Sequence, residues 1–324
     1  MASTSLKTPS VIPTLETGAE IKSGPALNPT QLAWRRFLKH RMAVVGMIGL
    51  IALVLFIVIG SIAIPEDSAN RIDLKARKSP PSLQHWFGTD STGRDTFPRI
   101  VYGGQISLFV GFTSVVLAVT IGTVVGGVAA YFGGWLDNIL MRFTEAMLSV
   151  PQLFLLIVLG KLLGNDIPTL RILDRQFSGS VIIIIFVIGV TSWMYLARIV
   201  RANVLSIKEL DYVSAARALG VSDTRIFFTH LIPNTIAPII VSATLGLAGA
   251  IITEAYVSFL GLGVQPPTAT WGNMLQTAIS FIQEGLWWMW LFPCIFIILT
   301  VLCINFIGDG LRDALDPRTA KHIN

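Results

Sequence analysis

Residues 106–132 read ISLFVGFTSVVLAVTIGTVVGGVAAYF, 27 positions without one charged side chain. A run of that length exceeds the roughly 20 apolar residues that a helix needs to cross the hydrocarbon core of a bilayer. Residues 181–197 and 289–308 are also uncharged and close to spanning length. The rest of the chain agrees. Of its 324 residues 53% are hydrophobic and 13% are charged, where a soluble domain carries about 25% charged residues. Length alone would permit two soluble domains, but these runs define an all-α, polytopic membrane protein instead.

Six helices are expected, at roughly 42–64, 106–132, 143–163, 179–200, 234–256 and 289–308. Six crossings leave both termini on one side. With the N-terminus inside, the cytoplasmic segments hold 15 of the 24 Lys and Arg residues and the external loops hold nine. That excess places both termini in the cytoplasm, although the loop before residue 106 is rich in positive charge. Arg35, Arg36, Lys39 and Arg41, with Trp34 and Phe37 among them, stand just before the first span and predict an interfacial anchor in contact with lipid. The cluster abuts a membrane helix, which argues against nucleic acid as its partner. Residues 1–30 are rich in Ser, Thr, Pro and Gly and are expected to be disordered. The first apolar run begins only at Met42, later than a cleaved signal would place it, so it is expected to stay as an anchor.

Within 106–132, Ala118, Gly122, Gly126 and Ala130 recur every four residues. Such a ridge of small side chains lets another helix backbone approach closely, and internal packing is the preferred reading. The two cysteines, Cys294 and Cys303, lie nine residues apart in the last run and point to roughly opposite sides of one helix, so packing rather than a disulfide or metal is expected.

Between the fourth and fifth spans the apolar pattern is interrupted by YVSAARALGVSDTRIFFTHLIPN, residues 212–234. Tyr212, Ala215, Ala216 and Leu219 follow the spacing of one helical face. Gly220 supplies the left-handed position that ends a helix, and Ser222 is placed to cap the next. Ile226 and Phe227 begin a second short apolar face, and Pro233 pre-sets the entry to the fifth span. The expectation is a compact helix–turn–helix on the cytoplasmic face, with small residues on its first helix.

SAARALG, nine residues, then HLIP resembles the coupling-loop signature of ABC-importer permeases: EAA, three residues, Gly, nine residues, Ile, one residue, Leu-Pro. Ala215, Ala216, Gly220 and Pro233 match at the right spacing. Ser214 stands for Glu, His230 for Ile and Ile232 for Leu. HWFGTDSTGRDTFPRIVYGGQISL from His85, EAYVSFLGLGVQPPTATWGNML from Glu254 and GDGLRDALDPR from Gly308 are similar to the C-type subunits of dipeptide and oligopeptide permeases. The resemblance runs from about residue 30 to the end. It implies a type I importer fold in a bacterial inner membrane, with five core helices and one N-terminal helix. It also implies a homologous B-type permease subunit, two ABC ATPase subunits that carry ATP and Mg, and an external binding protein. The organisation it suggests is a tail over 1–30, an interfacial helix and first span over 31–64, and an external loop over 65–105. A core follows over 106–310 with coupling helices at 207–230, then a cytoplasmic tail over 311–324. Asp211, Ser214, Ala215, Ala216, Leu219, Gly220, Ser222 and Pro233 become the residues expected to meet the ATPase. Peptides are the implied cargo; oligosaccharides, glutathione and nickel chelates are the alternatives.

No GxxxxGK[ST] loop occurs, and the only Gly-Lys pair, Gly160-Lys161, precedes Leu162. The chain is thus not itself the ATPase, and no cofactor is expected in it. HExxH is absent and the four histidines, His40, His85, His230 and His322, fall in loops and tails, which argues against an intramembrane hydrolase and a metal site. An ion-coupled secondary transporter would bury ionisable groups near the bilayer centre; Glu145 and Glu254 instead lie near span ends, and no repeat is visible.

In the fifth span Ser242, Gly246, Ala250 and Glu254 recur at four-residue intervals, so one face is small, mildly polar and ends in a carboxylate. A carboxylate facing lipid is costly, so Glu254 should face protein or a watery cavity. Two readings stand side by side: a translocation path with Glu254 shaping its outer gate, or a packing ridge with Glu254 paired to a loop Arg or capping a backbone turn.

Overall fold

The computed structural model describes residues 28–163, 170–172 and 175–316. Apart from residues 28–30 and 311–316, the two expected tails lie outside the described residues. Helix α1 (Pro29–Lys39) ends at His40, whose extended backbone breaks it from α2 (Arg41–Ala63). His40 Nδ1 accepts from the Ala43 N–H at 3.1 Å and so caps the first span. Trp34 and Leu38 of α1 are exposed, while Phe37 is buried against Ala43 and Ala314, as an interfacial helix requires.

The loop after α2 carries the single-turn helix α3 (Asp67–Asn70) and leads into α4 (Thr96–Phe132), 37 residues long. This helix starts at Thr96, not at the expected 106. Asp95 Oδ1 accepts from the Phe97 N–H at 2.9 Å, and Pro98 sits in the first turn, where an N–H has no helical partner anyway. Arg99, counted with the external-loop charges, lies in this added part of the helix. The side chain is folded inward, 4% exposed, and donates to the Ala69 carbonyl at 3.3 Å.

The third span is also corrected. Residues 143–163 are not one helix: α5 (Gly134–Ser149) and α6 (Gln152–Leu163) meet at 88°. Val150 is extended because it precedes Pro151, and that proline has no N–H to continue the ladder. A short antiparallel pair, β1 (Leu170–Ile172) and β2 (Arg175–Phe177), lies in the loop that follows. The fourth crossing is α7 (Gly179–Ser192) and α8 (Met194–Lys208), bent by 41° at Trp193.

Beyond α8 come α9 (Asp211–Ala218), α10 (Asp223–Ile226), a π turn over Phe227–Leu231, α11 (Ile232–Phe259), α12 (Trp271–Ile279) and α13 (Trp287–Leu315). Four spans are single unbroken runs, and each bent pair counted as one crossing brings the number to six. Helix α12 was not expected. Its start is a capping box in which the Thr270 hydroxyl accepts from the Asn273 N–H and the Asn273 carbonyl oxygen accepts from the Thr270 N–H.

Helix α4 runs through the middle, packed on α2, α5, α7, α8 and α11. The small-residue ridge faces α8. A Cβ at Gly122 would lie 2.8 Å from the Trp193 carbonyl oxygen, and one at Gly126 would lie 2.2 Å from that of Ala197. The two backbones therefore touch, which is the internal packing that the spacing implied.

The candidate coupling surface and the Glu254 pocket

Helix α9 ends in a Schellman motif. The Val221 N–H donates to the Ala216 carbonyl at 3.1 Å, the Gly220 N–H donates to that of Arg217 at 3.0 Å, and Gly220 has φ +75°. Val213 and Ala216 turn inward with Ile226 and Leu231, onto Ala130, Leu196, Val200 and Val204 of α4 and α8. Ala216 therefore belongs to the inner face, not to the outer face with Tyr212, Ala215 and Leu219. Asp211, Tyr212, Ser214, Ala215, Leu219, Gly220 and Ser222 are all exposed. Leu219 is 84% exposed and Phe228 is 65% exposed, so an apolar outer surface stands above a buried inner one.

Two local expectations change. Ser222 occupies the cap position of α10, but its side chain makes no capping hydrogen bond. The second helix does not stop before Pro233 either, since residues 223–259 form one continuous span. The π turn makes this possible: the Ile232 N–H reaches back to the Phe227 carbonyl. Asn234 Nδ2 then donates to the His230 carbonyl at 2.6 Å, which gives that oxygen a partner beside the proline. The candidate docking surface thus continues from α9 into the first turns of the fifth span itself.

Ion pairs brace the neighbouring helices. Arg201 of α8 grips Asp137 of α5 with two hydrogen bonds, both 2.6 Å, the fork geometry that favours arginine over lysine. Lys208 at the end of α8 donates to the Tyr131 carbonyl at 2.9 Å, where α4 has carbonyls without helical partners.

On the fifth span, Ser242, Gly246 and Ala250 line one cleft of about 50 Å³ with Ser114, Ala118 and Ile188. Glu254 does not reach it. Its side chain is enclosed, 0% exposed, and Oε2 accepts from the Ser107 hydroxyl at 2.9 Å while Oε1 accepts from that of Ser258 at 2.8 Å. The Thr270 hydroxyl lies near the same carboxyl. Ser107 Oγ accepts in turn from the Trp271 N–H at 3.2 Å, and Ser258 Oγ accepts from the Val264 N–H at 3.2 Å. Among the described residues the carboxylate accepts from neither an arginine nor a backbone N–H; through the two serines it links α4 and α11 to the segment that leads into α12. Sequence reasoning did not find Ser107, Ser258 or Thr270, which look like ordinary small residues within apolar or turn-rich runs.

The motif from His85 packs against α13 at the same end of the bundle. The Phe87 ring stacks on Phe292 at 4.0 Å, and Trp288 Nε1 donates to the Thr89 carbonyl at 3.0 Å. Burial works to raise the pKa of Asp90. The Thr92 hydroxyl, the Arg94 guanidinium and the N–H groups of both residues outweigh it and hold the carboxyl below its ordinary range. That contribution is complete above the ordinary carboxylate range and is lost only as pH falls through the depressed value.

The described residues form a helical bundle of up to six crossings with an exposed apolar surface around Leu219 and Phe228. Residues 118–321 match the family described as the binding-protein-dependent transport system inner membrane component. Residues 28–81 match the N-terminal TM domain of oligopeptide transport permease C. The dipeptide transport system permease protein DppC of Bacillus subtilis is 43% identical over 297 residues, covering 92% of this chain and 88% of its own. A putative peptide permease protein of Brucella suis biovar 1 is 42% identical over 291 residues, covering 90% of this chain and 91% of its own. The chain belongs to the binding-protein-dependent transport family and is a multi-pass inner-membrane permease component. The solved inward-facing MetNI methionine ABC transporter shares its fold, with a TM-score of 0.50 at 20% identity over 67% of this chain and 96% of that one.

Proposed function

We propose that this chain is one of two homologous permease subunits of an ABC importer for peptides. Two ATPase subunits would dock on residues 211–228 from the cytoplasm, and a binding protein would deliver the cargo from outside. The observation that carries the reading is the two-sided docking element, with an exposed apolar outer surface at Tyr212, Leu219 and Phe228 and a buried inner surface at Val213, Ala216 and Ile226. An unpartnered surface of that kind beside the bilayer calls for a protein partner. The relatives named for dipeptide and peptide transport support the choice of cargo. The excess of Lys and Arg on the side of this element supports a cytoplasmic placement for it and for both termini.

The chain itself performs no chemistry. When the ATPase pair closes, the docking element moves with it. Helix α11 follows as a rigid body, since no flexible linker separates residues 223 and 259. Ser242, Gly246 and Ala250 line the face of α11 that would be carried along, and we assign to them the wall of the translocation path. Glu254 anchors the outer end of that helix.

The test is uptake into proteoliposomes holding the complete transporter. Radiolabelled dipeptide should accumulate only with the binding protein outside and ATP inside. Accumulation driven by a proton gradient without ATP would overturn the importer reading. ATP-driven uptake of an oligosaccharide, glutathione or a nickel chelate in place of peptide would overturn the cargo alone.

A further inference from the structure

Two pieces of the docking element and the end of α8 converge on one side chain of α4. The Tyr131 hydroxyl donates to Asp223 Oδ1 at the start of α10. Arg217, at the end of α9, places its guanidinium carbon 6.0 Å from the Tyr131 ring, and Lys208, at the end of α8, places its ammonium 6.0 Å away. The same lysine binds the Tyr131 and Ala130 carbonyls at 2.9 and 3.4 Å. The ring is buried and stands 6.0 Å from the Phe227 ring, edge to face. Phenylalanine would fill that space equally well. Only the hydroxyl goes unexplained by packing, and its partner is a carboxylate of the docking element.

The far end of the same helix holds the Glu254 pocket through Ser107, and its Ile100 carbonyl accepts from Trp271 Nε1 at 3.0 Å. Helix α4 therefore touches both the cytoplasmic docking element and the outer loop. At 1.5 Å rise per residue its 37 residues reach about 55 Å. We propose that Tyr131 is a positioning residue: its bond to Asp223 makes α4 move with the docking element, so that closure of the ATPases is conveyed to the outer loop around Glu254. This rests on the reading of residues 211–228 as the ATPase dock.

The test uses the complete transporter in proteoliposomes, with substrate-stimulated ATP hydrolysis and peptide uptake measured on the same sample. Tyr131→Phe removes one oxygen. It should leave assembly and hydrolysis intact while uptake per ATP falls about ten-fold, the effect of losing one charge-assisted hydrogen bond. Asp223→Ala lies in the dock and should lose at least as much uptake per ATP, and the double variant should be no worse than Asp223→Ala alone, because both changes break the same bond. Asp223→Asn keeps an accepting oxygen and should stay within about two-fold of wild type. Unchanged uptake per ATP in Tyr131→Phe would overturn the proposal. So would parallel losses of hydrolysis and uptake, which would make the bond merely structural. A wild-type complex that hydrolyses ATP without any uptake would instead overturn the importer reading beneath it.

Discussion

Replacing Gly220 with valine is expected to give an inserted, assembled complex that hydrolyses ATP but imports little. A Cβ at Gly220 would have nothing within 4 Å, so crowding is not the cause. The cost is in the backbone. At φ +75° a β-branched residue is held in a region it rarely adopts, at about 1–3 kcal/mol. The strain is relieved by opening the turn that sets α9 against α10, and the Val221-to-Ala216 hydrogen bond goes with it. Since about 1.4 kcal/mol is ten-fold in an equilibrium, the docked geometry becomes about 5- to 150-fold rarer. The inner face through Val213, Ile226 and Leu231 is untouched, so the subunit still folds. Gly220→Ala, with its smaller side chain, should lose less. Uptake and hydrolysis measured together check this: uptake should collapse while hydrolysis persists. Normal uptake by the valine variant would remove the docking role from this turn.

Gly126→Val should act earlier, on the fold. Here a Cβ runs into the α8 backbone: the Ala197 carbonyl oxygen at 2.2 Å, its carbon at 2.9 Å and its Cα at 3.0 Å. No rotamer change can clear such atoms, so α4 and α8 must separate. Overpacking alone costs about 1–3 kcal/mol. The separation also forfeits the contact along Gly122 and the buried Ala118 and Ala130. Against a total stability of about 5–15 kcal/mol this is severe. Detergent-solubilised Gly126→Val should therefore unfold at markedly lower temperature or fail to accumulate in the membrane. Gly249→Ala is the control, since a Cβ there has nothing within 4 Å. Equal thermal stability of the two variants would contradict the packing.

Parts of this structure were legible in the sequence because they depend on local chemistry. Gly220 was readable as a helix end since few other residues adopt that backbone. The ridge from Ala118 to Ala130 was readable because close helix contact in lipid requires small side chains. Other parts needed the third dimension. Pro151 stood in plain view, but a count of apolar residues passes over a proline, so the 88° break inside the third span was missed. Pro233 was read as the start of a span, and the π turn that carries the helix across it has no strong signature of its own. Glu254 was recognised as exceptional, yet Ser107 lies 147 positions away and has no residue pattern that marks it as a partner. The same holds for Tyr131 and Asp223, 92 positions apart. Charge misled once, at Arg99, because it was counted as solvated when the fold had turned it inward.

The central claim is that residues 211–228 meet an ATPase in the cytoplasm. Leu219 is the most direct reporter, being 84% exposed at the crest of the element. A photo-reactive amino acid placed at that position in the intact transporter, illuminated in cells, should form a covalent adduct with the ATPase subunit. The same group in place of Leu83, which is 96% exposed in the outer loop, should form none. An ATPase adduct from position 83, or its absence from position 219 in a complex that still imports peptide, would contradict the account.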